Sequence, residues 1–166
     1  VVEVIKGAGI QPSFAKKMHS PVFYQTSCMP DGNTVTLDKN ADDATWPNDA
    51  IQSVDGIYGS PMPTISADKL PGRPGYVFDG YYDKTLNYYD NPNGNNATKY
   101  YNADGTSATT YGLTTGITLY AYWKICDEGN YYPGDNTELS CSTATNGEYT
   151  TTNANGASNI NQCIND

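Results

Sequence analysis

Alternation of apolar and polar positions is cleanest from Ile117 to Lys124. Ile117, Leu119, Ala121 and Trp123 point one way, and Thr118, Tyr120 and Tyr122 the other, which is the two-residue period of a strand. A second strand follows the turn Arg73-Pro74-Gly75. Pro74 fixes φ, Gly75 admits a positive φ, and an aromatic and β-branched run follows with Tyr76 and Phe78 on one face. Gly80 interrupts that alternation where a bulge or bend would sit. Thr34 to Asp38 supplies a third strand, and together the three seed a small mixed core. Shorter patterns predict strands over 2–5, 21–26 and 51–58, and a short helix over 65–70 started by Ser66. They also predict an added hairpin in which Leu86–Tyr89 and Lys99–Tyr101 flank the turn Asp90–Asn96. After Ile125 aliphatic residues almost vanish and Cys, Asn, Thr and Gly take over. The pattern divides the chain into an N-terminal extension (1–33), a central module (34–124) and a cysteine-rich tail (125–166). The expected class is mainly β with a loop-rich, disulfide-stapled tail.

Composition changes this picture in two ways. The chain has 166 residues, 37% of them hydrophobic, with a mean hydropathy of -0.60, enough for one modest core. Tyrosine dominates the apolar set, with 15 Tyr against 3 Phe and 2 Trp. Tyrosine buries ring area while keeping a polar tip, and adjacent strand residues face opposite sides, so each doublet sets one ring in the core and one outside, where it either substitutes for aliphatic packing or joins a contact surface. The doublets Tyr81-Tyr82, Tyr88-Tyr89 and Tyr100-Tyr101 are the candidate contact residues. Net charge is -9 with a pI near 4.3, so the chain lacks the basic footprint that nucleic acid or an anionic membrane surface requires. No apolar run is long enough to span a bilayer as a helix. Val1–Ile5 lacks the basic flank and the length of a signal peptide, as expected of a mature product or an excised piece.

Candidate chemistry is sparse. His19 is the single histidine and has no nucleophile elbow near it. Phosphate-cradling glycine motifs are absent from the sequence. Carboxylates such as Asp79, Asp83 and Asp90 are too many for spacing to single out a catalytic pair. Enzymatic activity is therefore not expected, and no cofactor is. Calcium is the one ion left open, at Asp38-x-Asn40-x-Asp42 and at Asp90-x-x-Asn93-x-Asn95, where Asx turns account for the same residues. The four cysteines, Cys28, Cys126, Cys141 and Cys163, lack zinc spacing and read as two disulfides in an extracellular chain. Local closure of Cys126 with Cys141, leaving Cys28 for Cys163, is the expected pairing. Asn96-Ala97-Thr98 is a glycosylation sequon, informative for a eukaryotic secretory source.

Several segments occur in a telling order: Val35-Thr36-Leu37-Asp38, an acidic Asn-rich turn, Tyr58-Gly59, Pro71-x-Arg73-x-Gly75-Tyr76-x-Phe78-x-Gly80-Tyr81-Tyr82, and Thr118-Leu119-Tyr120-Ala121-x-Trp123. Over 34–124 the chain resembles the Listeria–Bacteroides repeat, the B-repeat module of internalin-like bacterial surface proteins. It departs from that family at Tyr81, where Trp is usual, and in a longer segment from Lys84 to Gly116. The resemblance implies a β-grasp-like sheet, an extracellular or cell-surface location and no catalytic residues. The tail, with Cys126-x-x-Gly129-x-Tyr131-Tyr132 and Cys141 followed by Gly147-x-Tyr149-Thr150, resembles degenerate ephrin-receptor-like cysteine-rich repeats. The expected role is structural or adhesive, through contacts with a protein partner or with copies of the chain. Two alternatives accompany it: a filament subunit that donates Val1–Ile5 to a neighbour's sheet, and a carbohydrate-binding module using exposed tyrosines.

Overall fold

The computed structural model describes residues 31–127, 129–134, 136, 138–145, 151–152 and 156–164. The expected strands at 2–5 and 21–26, the donated-strand segment, His19 and Cys28 lie outside the described residues. Five strands form one sheet: β1 (Asn33–Asp38), β2 (Ser53–Gly56), β3 (Tyr76–Tyr82), β4 (Lys99–Asn102) and β5 (Ile117–Ile125). Their order is β2-β1-β5-β3-β4, with β1 and β5 parallel at the centre and every other pair antiparallel. A mainly β chain built on one five-stranded mixed sheet is the class expected. Between β2 and β3, where a grasping helix would lie, there is a single 3-10 turn, Ala67–Lys69. Pro61, Pro63 and Pro71 crowd that segment, and Ser66 makes no side-chain cap bond, so a longer helix has neither room nor a start.

Alternation along β1 and β5 builds the core. Val35 and Leu37 face the same side as Leu119, Ala121 and Trp123, and all are buried. The parallel register sets Val35 beside Ile117 and Leu37 beside Leu119. Along β3 the alternation alone would put Phe78 and Tyr81 on opposite faces. A bulge between Phe78 and Gly80 adds one residue and restores them to the same face, with ring centroids 5.1 Å apart. Gly80 is needed there: its φ is +137°, and a Cβ would meet the Tyr101 carbonyl oxygen at 2.0 Å. Asp79, the extra residue, turns to the other face, where Tyr82, Leu86 and Tyr122 form a second small cluster.

The hairpin is made by β3 and β4, and Leu86–Tyr89 is not one of its strands. Side chains explain why. The Asn87 amide donates to the Asp90 carboxylate at 2.8 Å and the Tyr89 amide to the Asn87 side-chain carbonyl at 3.0 Å, so the backbone donors a strand would use are taken. The expected strand over 51–58 is limited to Ser53–Gly56.

In the tail, β6 (Asn130–Tyr131) pairs with β7 (Leu139–Ser140), and β8 (Thr151–Thr152) with β9 (Cys163–Ile164); α1 (Cys141–Ala144) lies between the pairs. The disulfide joins Cys141 to Cys163, 5.6 Å apart at Cα, and corrects the expected pairing. Cys163 is brought in by its register with Thr152, whereas Cys126 continues β5 into the seam beneath the tail. Its amide donates to Gly75 and its carbonyl accepts from Gly156; its buried thiol joins no disulfide among the described residues and is pushed up to about 11 by burial and then by Glu138 and Asp127. Gly75, at φ +79°, is the joint: a Cβ there would lie 2.1 Å from the Gly156 carbonyl oxygen.

Candidate functional site

A cleft of about 520 Å³ opens beside the end of β1. The turn after β1 supplies Asn40, Ala41, Asp42 and Asp43, and the loop after β3 supplies Thr85, Leu86, Asn87, Tyr88 and Asp90. Arg73 and an edge of Trp123 complete the lining. Local bonding fixes both loops. Asn40 takes φ +50° because the Asp38 carboxylate accepts its amide at 2.7 Å, an Asx turn. The Asn40 side-chain amide then donates to the carbonyls of Leu86 and Ala121, each at 3.0 Å, tying the two loops to β5. The Trp123 indole donates to the Lys39 carbonyl at 2.7 Å, and the Tyr122 hydroxyl to the Asp90 carbonyl at 2.7 Å.

Aromatic rings continue one wall of the cleft outward. The Arg73 guanidinium lies 3.6 Å over the Tyr76 ring, Tyr76 meets Tyr88 at 5.3 Å, and Tyr88 meets Tyr89 at 4.1 Å. Arg73 is itself anchored to the Asp43 carboxylate at 2.7 Å. Tyr89 is 83% exposed at the outer end of this row. Sequence reasoning found Tyr88 and Tyr89 but missed Arg73 and Tyr76 as their support. The signal available was their spacing: residues three apart flanking a Pro-Gly turn come together, as Arg73 and Tyr76 do.

The other candidate tyrosines are not at the surface. Tyr81, Tyr82, Tyr100 and Tyr101 are all buried, because both faces of this sheet are covered at β3 and β4. Tyr101 donates to the Pro63 carbonyl at 2.9 Å and packs edge-on against Tyr81. The Tyr81 hydroxyl is buried with no partner among the described residues. Burial pushes the ionisation of Tyr81, Tyr82 and Tyr101 well above the ordinary tyrosine range.

On the covered outer face, Asp79 accepts from Lys99 at 2.9 Å, from Tyr82 at 2.6 Å and from Lys124. Burial raises its carboxyl, but the bonds from Lys124, Tyr82 and Lys99 together outweigh this and hold it below the usual carboxylate range. Asp79 is thus a clamp between three strands.

In the two loops considered for calcium, the Asp38 and Asp90 carboxylates hold backbone amides, and Asn93 donates its amide to Asn91. Among the described residues no three carboxylate, histidine or cysteine side chains converge as a metal site would require. No described helix is long and apolar enough to cross a membrane. No family model, curated protein or solved structure matches the chain.

Proposed function

We propose that the chain is a non-enzymatic extracellular surface module that acts by contact, with residues 34–124 a B-repeat-like unit. The observation that carries this reading is the braced row Arg73–Tyr76–Tyr88–Tyr89, which ends in an exposed ring beside an open cleft. Rings already held against neighbours lose little freedom on binding, which favours a contact role. The Cys141–Cys163 disulfide suits an oxidising compartment.

Displaying the chain on a heterologous cell tests the reading. Cells carrying it should be retained on surfaces coated with glycans or extracellular proteins, and Tyr89→Ala should release them while melting at the unaltered temperature. Retention equal to that of bare cells, or unaffected by Tyr89→Ala, would sink it.

A further inference from the structure

We propose that the cleft beside Tyr88 is a saccharide site that takes a neutral or amine-bearing sugar chain and refuses an acidic one. This rests on the contact reading above and names the ligand of that contact.

The argument starts from which hydrogen-bonding groups remain uncommitted. Of the two strongest donor groups in the lining, Arg73 commits its Nε and its charge to Asp43 and lays its guanidinium over Tyr76, and the Trp123 indole is taken by the Lys39 carbonyl. Acceptors remain. Neither Asp42 nor Asp90 joins an ion pair among the described residues, and Asp90 commits only Oδ2, to the Asn87 amide. Asn40 uses its N–H groups on two carbonyls, so its side-chain oxygen is the atom left to offer. A surface of unpaired acceptors calls for a ligand rich in donors. Sugar hydroxyls, spaced around a ring and repeated along a chain, match acceptors spread over a rim. A single lysine ammonium would answer one of them.

The wall supplies the second requirement. Tyr88 lies in the lining and touches both Tyr76 and Tyr89 at tilted angles, so its ring is held in place before anything binds. A pyranose presents an apolar C–H face that lies against such a ring while its hydroxyls reach sideways to carboxylates and amides. The volume of about 520 Å³ falls within the usual span for small-molecule sites, roughly 300–1,000 Å³. Charge sets the preference. With -9 on the chain, Arg73 offset by Asp43, and Asp42 and Asp90 outside any ion pair among the described residues, a uronic or sialic acid would be repelled.

Calorimetric and NMR titration of the full chain with defined probes decides the matter. The probes are neutral gluco-, manno- and chito-oligosaccharides, amine-bearing chitosan oligomers, acidic galacturonate oligomers and an oligolysine peptide. At least one neutral or amine-bearing series should bind at millimolar or lower concentration and perturb the Tyr88 and Trp123 signals. Tyr88→Ala and Tyr89→Ala should each weaken that binding about tenfold or more. Asp42→Asn should cost the chitosan series more than the neutral ones. No binding by either series overturns the proposal. So does binding that survives Tyr88→Ala, tightest binding by galacturonate, or binding by oligolysine alone. Blank titrations beside continued Tyr89-dependent cell retention would remove the sugar and leave the contact reading standing. Loss of retention as well would remove both.

Discussion

The central sheet and the tail are held together by different means. The sheet buries Trp123, Phe78, Leu119, Val35, Ile65 and four tyrosines in one continuous core. The tail's own cluster is Tyr131, Cys141, Ala157 and Cys163, with Leu139 at its margin, and its strands are two residues long. A segment that buries so little apolar area cannot offset the entropy of ordering its backbone. Covalent closure and direct backbone contact take over, through Cys141–Cys163 and the close approach of Gly75 to Gly156. Stability in the sheet therefore comes from side chains, and in the tail from the loss of alternatives in the unfolded chain.

The largest test of this contrast is Trp123→Ala. It removes a buried ring and the indole bond to Lys39, and should cost roughly 3–5 kcal/mol, read as a fall in the denaturant midpoint for the whole molecule. A tail that kept its hydrogen-exchange protection in that variant would contradict the dependence of tail on sheet. Replacing Cys141 and Cys163 together by serine should cost roughly 3 kcal/mol for a loop of 22 residues. Here amides of β6 to β9 should lose protection while those of β1, β3 and β5 keep theirs. Equal loss in both regions would show one cooperative unit.

Smaller effects sharpen the picture within the sheet. Asp79→Asn should cost about 1 kcal/mol, discounted for the partial exposure of its partners. Since the folded carboxyl sits below its ordinary range, its contribution is full above the usual aspartate pKa and is lost as pH falls through the depressed value. The acid limb of a stability profile should flatten in the variant. An unchanged acid limb would assign that pH dependence elsewhere. Tyr89→Ala should shift stability least, by under about 0.5 kcal/mol, because the ring is exposed. A larger drop would mean that Tyr89 belongs to the frame and not to the contact face.

The sequence carried the strands better than their neighbours. Leu119, Ala121 and Trp123 declare their face by alternation, and Gly80 marks its bulge because only glycine fits so close to the Tyr101 carbonyl. Pairing β1 with β5 is a contact between residues some 80 positions apart, and the local pattern of Val35 and Leu37 holds no trace of it. The cysteines misled for a related reason: shortest loop closure favours Cys126 with Cys141, but two-residue ladders steer Cys163 into place. In the doublets Tyr81-Tyr82 and Tyr100-Tyr101 alternation sends the two rings to opposite faces, yet all four are buried, because local pattern does not say whether both faces of a sheet are covered.

The parallel β1–β5 ladder bears on how the module answers a pulling force. Tension entering at Asn33 and leaving at Ile125 draws the two strands along their axes in opposite directions. Their evenly spaced hydrogen bonds are then loaded together in shear and are not opened one at a time. A link of that geometry yields only when the whole ladder gives way, so the module resists stretching along β1 and β5 far better than peeling at β2 or β4.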